Sequence, residues 1–233
     1  MCGRFAFYSP SEATAALFGI SGSIAVEPRY NIAPTQFIVA IRNNEESGRE
    51  LTMFRWGLIP SWAKDPSIGN RMINARAETV MEKPSFRAAY RRRRCLVLAD
   101  GFYEWKKDGD TKTPWFISLA NGAPFAFAGL WENWQSKGAD ESIQSTTIIT
   151  TAANEFMATL HHRMPVVLQP DTADRWLAGD DDLIDDVASN SPEFTAWPVD
   201  RRVNNARNEG EDLIRRQDLQ ATGAEAESFC PGT

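Results

Sequence analysis

Cysteine and histidine are scarce in this 233-residue chain, with three of the first and two of the second. The cysteines, Cys2, Cys95 and Cys230, are odd in number and far apart, in a chain long enough to bury its own core. That argues against a disulfide framework and for a reducing compartment, the cytoplasm. The histidines are the adjacent pair His161 and His162, and no CxxC or HExxH spacing exists to build a tetrahedral centre, so neither a metal nor another cofactor is assigned. Long apolar runs are missing too. No stretch approaches the roughly 20 apolar residues that span a bilayer, and the opening Met1-Cys2-Gly3-Arg4-Phe5 has no signal-peptide apolar region, so no membrane partner is expected. Positive charge is short as well: Lys and Arg total 25 against 31 Asp and Glu, a net charge of −6. A uniformly basic nucleic-acid footprint is therefore absent. The arginines nevertheless cluster at Arg71, Arg76, Arg87 and Arg91 to Arg94, and the acids at Asp180 to Asp186 and toward the end. These runs describe either a basic face with an acidic back or an ordinary solvated surface.

Apolar residues are plentiful, at 42% with 8 Trp and 13 Phe, enough for a sizeable core. Short β-type runs dominate: Arg4 to Tyr8, Phe37 to Arg42, Leu51 to Leu58, Cys95 to Ala99, Phe102 to Lys106, Trp115 to Leu119, Phe125 to Leu130 and Thr146 to Thr151. Helical patterns are fewer, at Ser11 to Phe18, Ala153 to Leu160 and Pro170 to Ala178. Because no regular helix separates successive strands, a parallel doubly wound sheet is disfavoured. The expected fold is α+β, a single domain with a curled, mainly antiparallel, barrel-like sheet and a few short helices. Asp100-Gly101, between two apolar runs, is the strongest hairpin signal. The domain is expected over 1–216, with a polar, frayed tail over 217–233 that contains Cys230.

Cys2 is the first chemically unusual residue. Removal of Met1 would leave an amine and a thiol on one residue, with ordinary pKa values of about 8 and about 8.5. A 1,2-aminothiol reacts with aldehydes: the amine forms a Schiff base, and the thiol then closes a thiazolidine. Glu104, in the aromatic run Gly101-Phe102-Tyr103-Glu104-Trp105, is either solvent-facing or enclosed for acid-base work. His161 reads as a helix-end histidine or as a proton carrier able to assist sugar-ring opening. Asn74 either caps a short helix or orients substrate, and Arg76 beside it suits a phosphate. The loops Tyr30 to Pro34 and Trp56 to Trp62 combine proline with aromatics, as base-stacking platforms do, although buried tryptophan is commoner.

Taken in order, Met1-Cys2-Gly3-Arg4, Tyr30-Asn31-x-Ala33-Pro34, Trp56-Gly57-x-x-Pro60-x-Trp62, Asn74-Ala75-Arg76-x-Glu78-Thr79, Gly101-Phe102-Tyr103-Glu104-Trp105 and His161-x-Arg163-Met164-Pro165 resemble the SOS response-associated peptidase family. The blocks Arg94-Cys95-Leu96, Thr150-Thr151-Ala152-Ala153 and Val203-Asn204-Asn205-x-Arg207-Asn208 extend the resemblance to about Ile214. It implies covalent capture of abasic sites in single-stranded DNA as a thiazolidine crosslink that shields the lesion, with self-processing peptidase and lyase-like activities. It also implies Cys2 as nucleophile, Asn74 as the orienting group, Glu104 as proton carrier and His161 as promoter of ring opening. Arg4, Asn31, Arg76 and Arg163 would hold phosphates or the lesion, while Pro34, Trp62, Trp105 and Thr150 line the strand path. His162 departs from the family, whose members often carry Asp there; His161 is preferred because it keeps the spacing to Arg163 and Pro165.

The expected partner is lesion-bearing single-stranded DNA, bound by a monomer that joins the nucleoid when engaged. The competing class is an N-terminal-nucleophile hydrolase, because Met-Cys-Gly also resembles the opening of glutamine amidotransferases. A third class is a non-covalent binder of DNA gaps in which Cys2 is incidental. Every covalent reading requires a free amine on Cys2. Intact-mass measurement with N-terminal sequencing should find Cys2 first and unblocked; a retained or acetylated Met1 in active protein would overturn all of them.

Overall fold

The computed structural model describes residues 2–22, 24–44, 48–136 and 141–218. Among these lie thirteen strands: β1 (Phe5–Phe7), β2 (Arg29–Ile32), β3 (Phe37–Asn44), β4 (Gly48–Trp56), β5 (Asn74–Arg76), β6 (Arg94–Ala99), β7 (Gly101–Asp108), β8 (Thr111–Leu119), β9 (Phe125–Gln135), β10 (Ser142–Ala152), β11 (Arg163–Pro165), β12 (Val167–Leu168) and β13 (Phe194–Pro198). Six α-helices accompany them: α1 (Ser11–Leu17), α2 (Ala77–Val80), α3 (Arg87–Arg92), α4 (Glu155–Ala158), α5 (Pro170–Ala178) and α6 (Leu183–Ser189).

The larger sheet runs β10-β4-β3-β6-β9, and β9 pairs back onto β10, which closes a five-stranded barrel. Closure leaves these strands without a free edge. Only the β4–β10 contact of the ring is parallel. β5 and β11 add to β10, and β12 adds to β9. A second sheet, ordered β13-β8-β7-β1-β2, packs alongside. Alternation explains how the two meet. On β9 the residues Phe125 and Phe127 share one face, and rings from the second sheet reach it. Phe5 stands edge-on to Trp56 at 5.2 Å and to Phe127 at 5.6 Å, while Phe102 meets Phe127 at 5.9 Å. Such edge-to-face pairs add about 0.5–1.5 kcal/mol each beyond the area they bury. The fold is thus the expected α+β single domain with a curled, mainly antiparallel core.

Two local expectations change. The Asp100-Gly101 dipeptide is not a hairpin, because β6 pairs with β3 and β9 whereas β7 pairs with β1 and β8. It is the crossover between the sheets, secured because the Asp100 carboxylate accepts from the Tyr8 and Ser9 backbone N–H groups at 2.6 and 2.8 Å and from the Ser9 hydroxyl. Short polar turn residues serve a crossover as well as a hairpin, and only strand pairing separates the two. Glycine is required at 101 for space: a Cβ there would lie 2.2 Å from Phe116 Cζ and 2.7 Å from the Ile117 carbonyl. The second change concerns aromatics. Trp56 is fully buried and donates its indole N–H to the Ile73 carbonyl at 2.9 Å, so of that loop's tryptophans only Trp62 is presented to solvent.

The expected helix over Pro170 to Ala178 is α5, started by the Gln169–Thr172 capping box and ended by Gly179 at φ 92°. The tail expected over 217–233 falls almost wholly outside the described residues; Gln217 itself donates its N–H to the Pro198 carbonyl at 2.8 Å. Cys230 is also outside them. Gly101→Ala should cost about 1–3 kcal/mol through overpacking. Urea denaturation should show a lowered midpoint with an unchanged slope, and an unshifted midpoint would refute the crowding argument.

Candidate active site

β10 assembles the site by pairing on both edges. Along one edge Ile148, Ile149 and Thr150 face Asn74, Ala75 and Arg76 of β5; along the other, Thr150 to Ala152 face Pro165 to Arg163 of β11. Asn74 is therefore a strand residue and caps no helix; Arg76 occupies the N-cap position of α2. The Asn74 amide Nδ2 instead donates to the Cys2 carbonyl at 2.7 Å. Its Oδ1 is buried and has no hydrogen-bond partner among the described residues. Leaving such an acceptor dry costs roughly 1–3 kcal/mol, so a donor that arrives beside Cys2 is favoured there.

Cys2 is fully buried, with Sγ 3.8 Å from the Arg4 carbonyl. Burial, reinforced by the negative charge of Glu104, pushes its thiol far above the ordinary thiol range. The thiol is thus the neutral SH form at physiological pH. Glu104 lies on β7, where Gly101 to Glu104 are buried on both faces, and only 3% of it is exposed. The enclosed alternative from the strand pattern therefore holds.

His161 follows α4, whose first turn is capped by Asn154 accepting from the Met157 N–H at 2.8 Å. The His161 backbone N–H donates to the Met157 carbonyl at 2.8 Å, while its ring Nδ1 lies 3.0 Å from both the N–H and the carbonyl of Arg163. That pair suits either neutral tautomer. The N–H donates to Nδ1 when the proton is on Nε2, and the carbonyl accepts when it is on Nδ1, with the ring orientation unchanged. The His162 ring lies 4.3 Å from that of His161. Its pKa is lowered, first by His161 and then by partial desolvation.

Arg163 is braced in turn. Both carboxylate oxygens of Glu78 receive its guanidinium, which also donates to the Thr150 carbonyl at 2.7 Å. Glu78 belongs to the Asn74–Thr79 block, and its partner lies 85 positions away, so no local periodicity exposes the pair.

The structure groups some of the remaining site residues and separates others. Arg4 donates to Asn31 Oδ1 at 2.6 Å and to the Val203 carbonyl at 2.7 Å, and Asn31 Nδ2 donates to the carbonyls of Asn205 and Asn208. These two tie the N-terminal strand to the late Val203–Asn208 block, and Asn31 is wholly buried. Trp105 donates its indole N–H to Asn204 on the same side. Trp62, 59% exposed, stands on its own loop, and Pro34 is half-buried; neither is tied to Cys2 by a hydrogen bond. Arg76 is exposed beside Asn74, while Thr150 is buried beneath Arg163.

The protein is thus a barrel-cored α+β domain that encloses Cys2, gripped at its carbonyl by the Asn74 amide and close enough to Glu104 to feel its charge. The chain belongs to the SOS response associated peptidase (SRAP) family, whose model matches residues 1–206. It is 44% identical over 223 residues to the abasic site processing protein YoaM of Bacillus subtilis, covering 92% of this chain and 97% of that one. It is 34% identical over 227 residues to the abasic site processing protein YedK of Escherichia coli, covering 92% and 99%. A crystal structure of a protein from Bacteroides thetaiotaomicron shares the fold with a TM-score of 0.82 at 24% identity, covering 93% of this chain and all of that one.

The Glu78–Arg163 pair carries a pH signature. The Arg163 hydrogen bonds hold the Glu78 carboxyl below its ordinary value, so its stabilisation is present above pH 4.5 and is lost as pH falls through the lowered folded value. For a pair half open to water this amounts to about 0.5 kcal/mol. Thermal melts of wild type and Glu78→Gln should differ above pH 5 and converge in acid; a gap that widens on acidification would contradict the pairing.

Proposed function

We propose that the protein captures abasic sites in single-stranded DNA through Cys2, once Met1 is removed, and shields the lesion as a thiazolidine crosslink. The observation that carries the reading is the grip of Asn74 on the Cys2 carbonyl inside an enclosure that also holds Glu104. Family membership and the printed names of the relatives support the substrate class. The Cys2 amine adds to the aldehyde carbon of the ring-opened deoxyribose, water leaves, and an imine forms. The thiol then adds across the imine, its proton passing to nitrogen, and the five-membered ring closes. The raised thiol favours this order, since the amine must act while sulfur is still protonated. Asn74 Oδ1 accepts from the amine and orients its lone pair. Glu104 carries protons to and from the departing water, and His161, held in either tautomer, promotes opening of the sugar and the reverse, lyase-like release. Arg76 and Arg163 meet phosphates, Arg4 and Asn31 hold the wall behind Cys2, and Trp62, Pro34 and Trp105 border the strand, while Thr150, buried beneath Arg163, positions that side chain.

The protein acts as a monomer in the cytoplasm, over a domain spanning 1–216, and ordinary aminopeptidase action exposes Cys2. The competing hydrolase differs in its first step, in which a thiolate attacks an amide. The decisive experiment incubates mature protein with single-stranded DNA carrying one abasic site and reads a heat-stable adduct by denaturing gel and mass spectrometry. Cys2→Ala should form none. Cys2→Ser should form only an imine, trappable by borohydride and lost on heating. Glu104→Gln and His161→Ala should slow formation by about 10²–10⁴-fold, the usual range for a lost acid-base group. A stable adduct with Cys2→Ala, or glutamine hydrolysis without any adduct, would overturn the proposal.

A further inference from the structure

The barrel has a second mouth. Cross-strand pairs Arg42–Cys95, Cys95–Gly129, Trp131–Thr146 and Asn133–Gln144 place Arg42, Trp131, Asn133 and Gln144 on one face of the barrel wall. Gln144 is four positions along β10 from Ile148, the residue paired with Asn74. This separates it from the Cys2 end by about 13 Å. A cavity of about 830 Å³ opens there, within the range of small-ligand sites, about 300–1,000 Å³.

Its chemistry is one-sided. Among the described residues, seven of the eight side chains that line it are Arg, Asn or Gln, each an N–H donor, and none is a carboxylate. Arg42 and Arg93 are held from behind, Arg42 by Glu50 at 2.7 Å and Arg93 by Glu132 at 2.7 Å. Arg92 is exposed, and it adds a further positive charge to the rim. Trp131 carries Phe54 stacked at 5.6 Å, with the Arg42 guanidinium 4.6 Å from its centroid. A mouth so rich in N–H donors suits oxygen acceptors. Planar guanidiniums fixed by carboxylates behind them suit phosphate oxygens in particular.

We infer that this mouth is a phosphate-binding site, distinct from the Cys2 site, for a ligand carrying more than one phosphate. Phosphates of a DNA strand that extends away from the lesion and those of a free phosphate ester share that chemistry. Calorimetric titration of mature full-length protein with inorganic triphosphate should give saturable 1:1 binding that weakens as salt rises. Arg92→Glu and Gln144→Glu each should weaken it about tenfold, since each sets a like charge against the anion. Both positions are solvent-accessible, so melting temperatures should hold, and Arg92→Glu should leave adduct formation on a short abasic oligonucleotide unchanged. Competition by a lesion-free strand, with its salt slope reduced by about one in Arg92→Glu, would assign the site to DNA. Absence of such competition beside retained triphosphate binding would assign it to a free ester. No saturable triphosphate binding, or binding indifferent to both substitutions, overturns the inference.

Discussion

One strand holds the functional end of this protein together. β10 hydrogen-bonds to β9 and β11 along one edge and to β4 and β5 along the other, and Ser145 to Thr150 are buried throughout. Without that shared partner, β5 would be three residues with no sheet to join, and the Asn74 amide would have no fixed position from which to reach Cys2. The same strand presents the Thr150 carbonyl to Arg163, so the element that closes the barrel also sets where the histidine segment lies. A closed ring transmits such constraints well because it has no free edge along which a strand could slip.

Enclosure is the second theme, and it bears on order as well as place. Burying a thiol beside a carboxylate keeps it protonated, which is a poor state for direct attack on an amide. In the proposed reaction the handicap becomes sequence control: nitrogen reacts first, and sulfur is needed only once an imine carbon lies next to it. The two Arg163 backbone groups at His161 Nδ1 make an analogous economy. A proton can reside on either ring nitrogen while the ring stays still.

The arginines show why charge counting reveals so little. In the run Arg91 to Arg94, Arg94 turns inward, packed against the rings of Tyr90 at 4.2 Å and Trp176 at 4.5 Å and paired with Asp181. Part of the acidic cluster is therefore structural mortar for part of the basic one. Arg93 pairs with Glu132, and what remains exposed is a smaller, local basic rim. Net charge sums these roles, whereas binding depends on which charges remain uncompensated at one place.

Alternation and punctuation were enough to mark the main strands β1, β3, β4, β6, β7, β8, β9 and β10, because a half-buried strand must repeat every second residue. The spaced blocks from Cys2 to Asn208 were enough to indicate the family. Among strands of two to five residues only β1 was marked, through the longer run Arg4 to Tyr8 around it; β5, β11 and β12 left no such trace, being too short for a period to register. Asp100-Gly101 had correct turn chemistry but an undecidable destination. Pairing partners, the inward turn of Trp56 and Arg94, the Glu78–Arg163 brace and the polar second mouth all join residues far apart in the chain. Such relations are decided by which strands close the barrel, a cooperative outcome of the whole core to which any single stretch of residues contributes only one side.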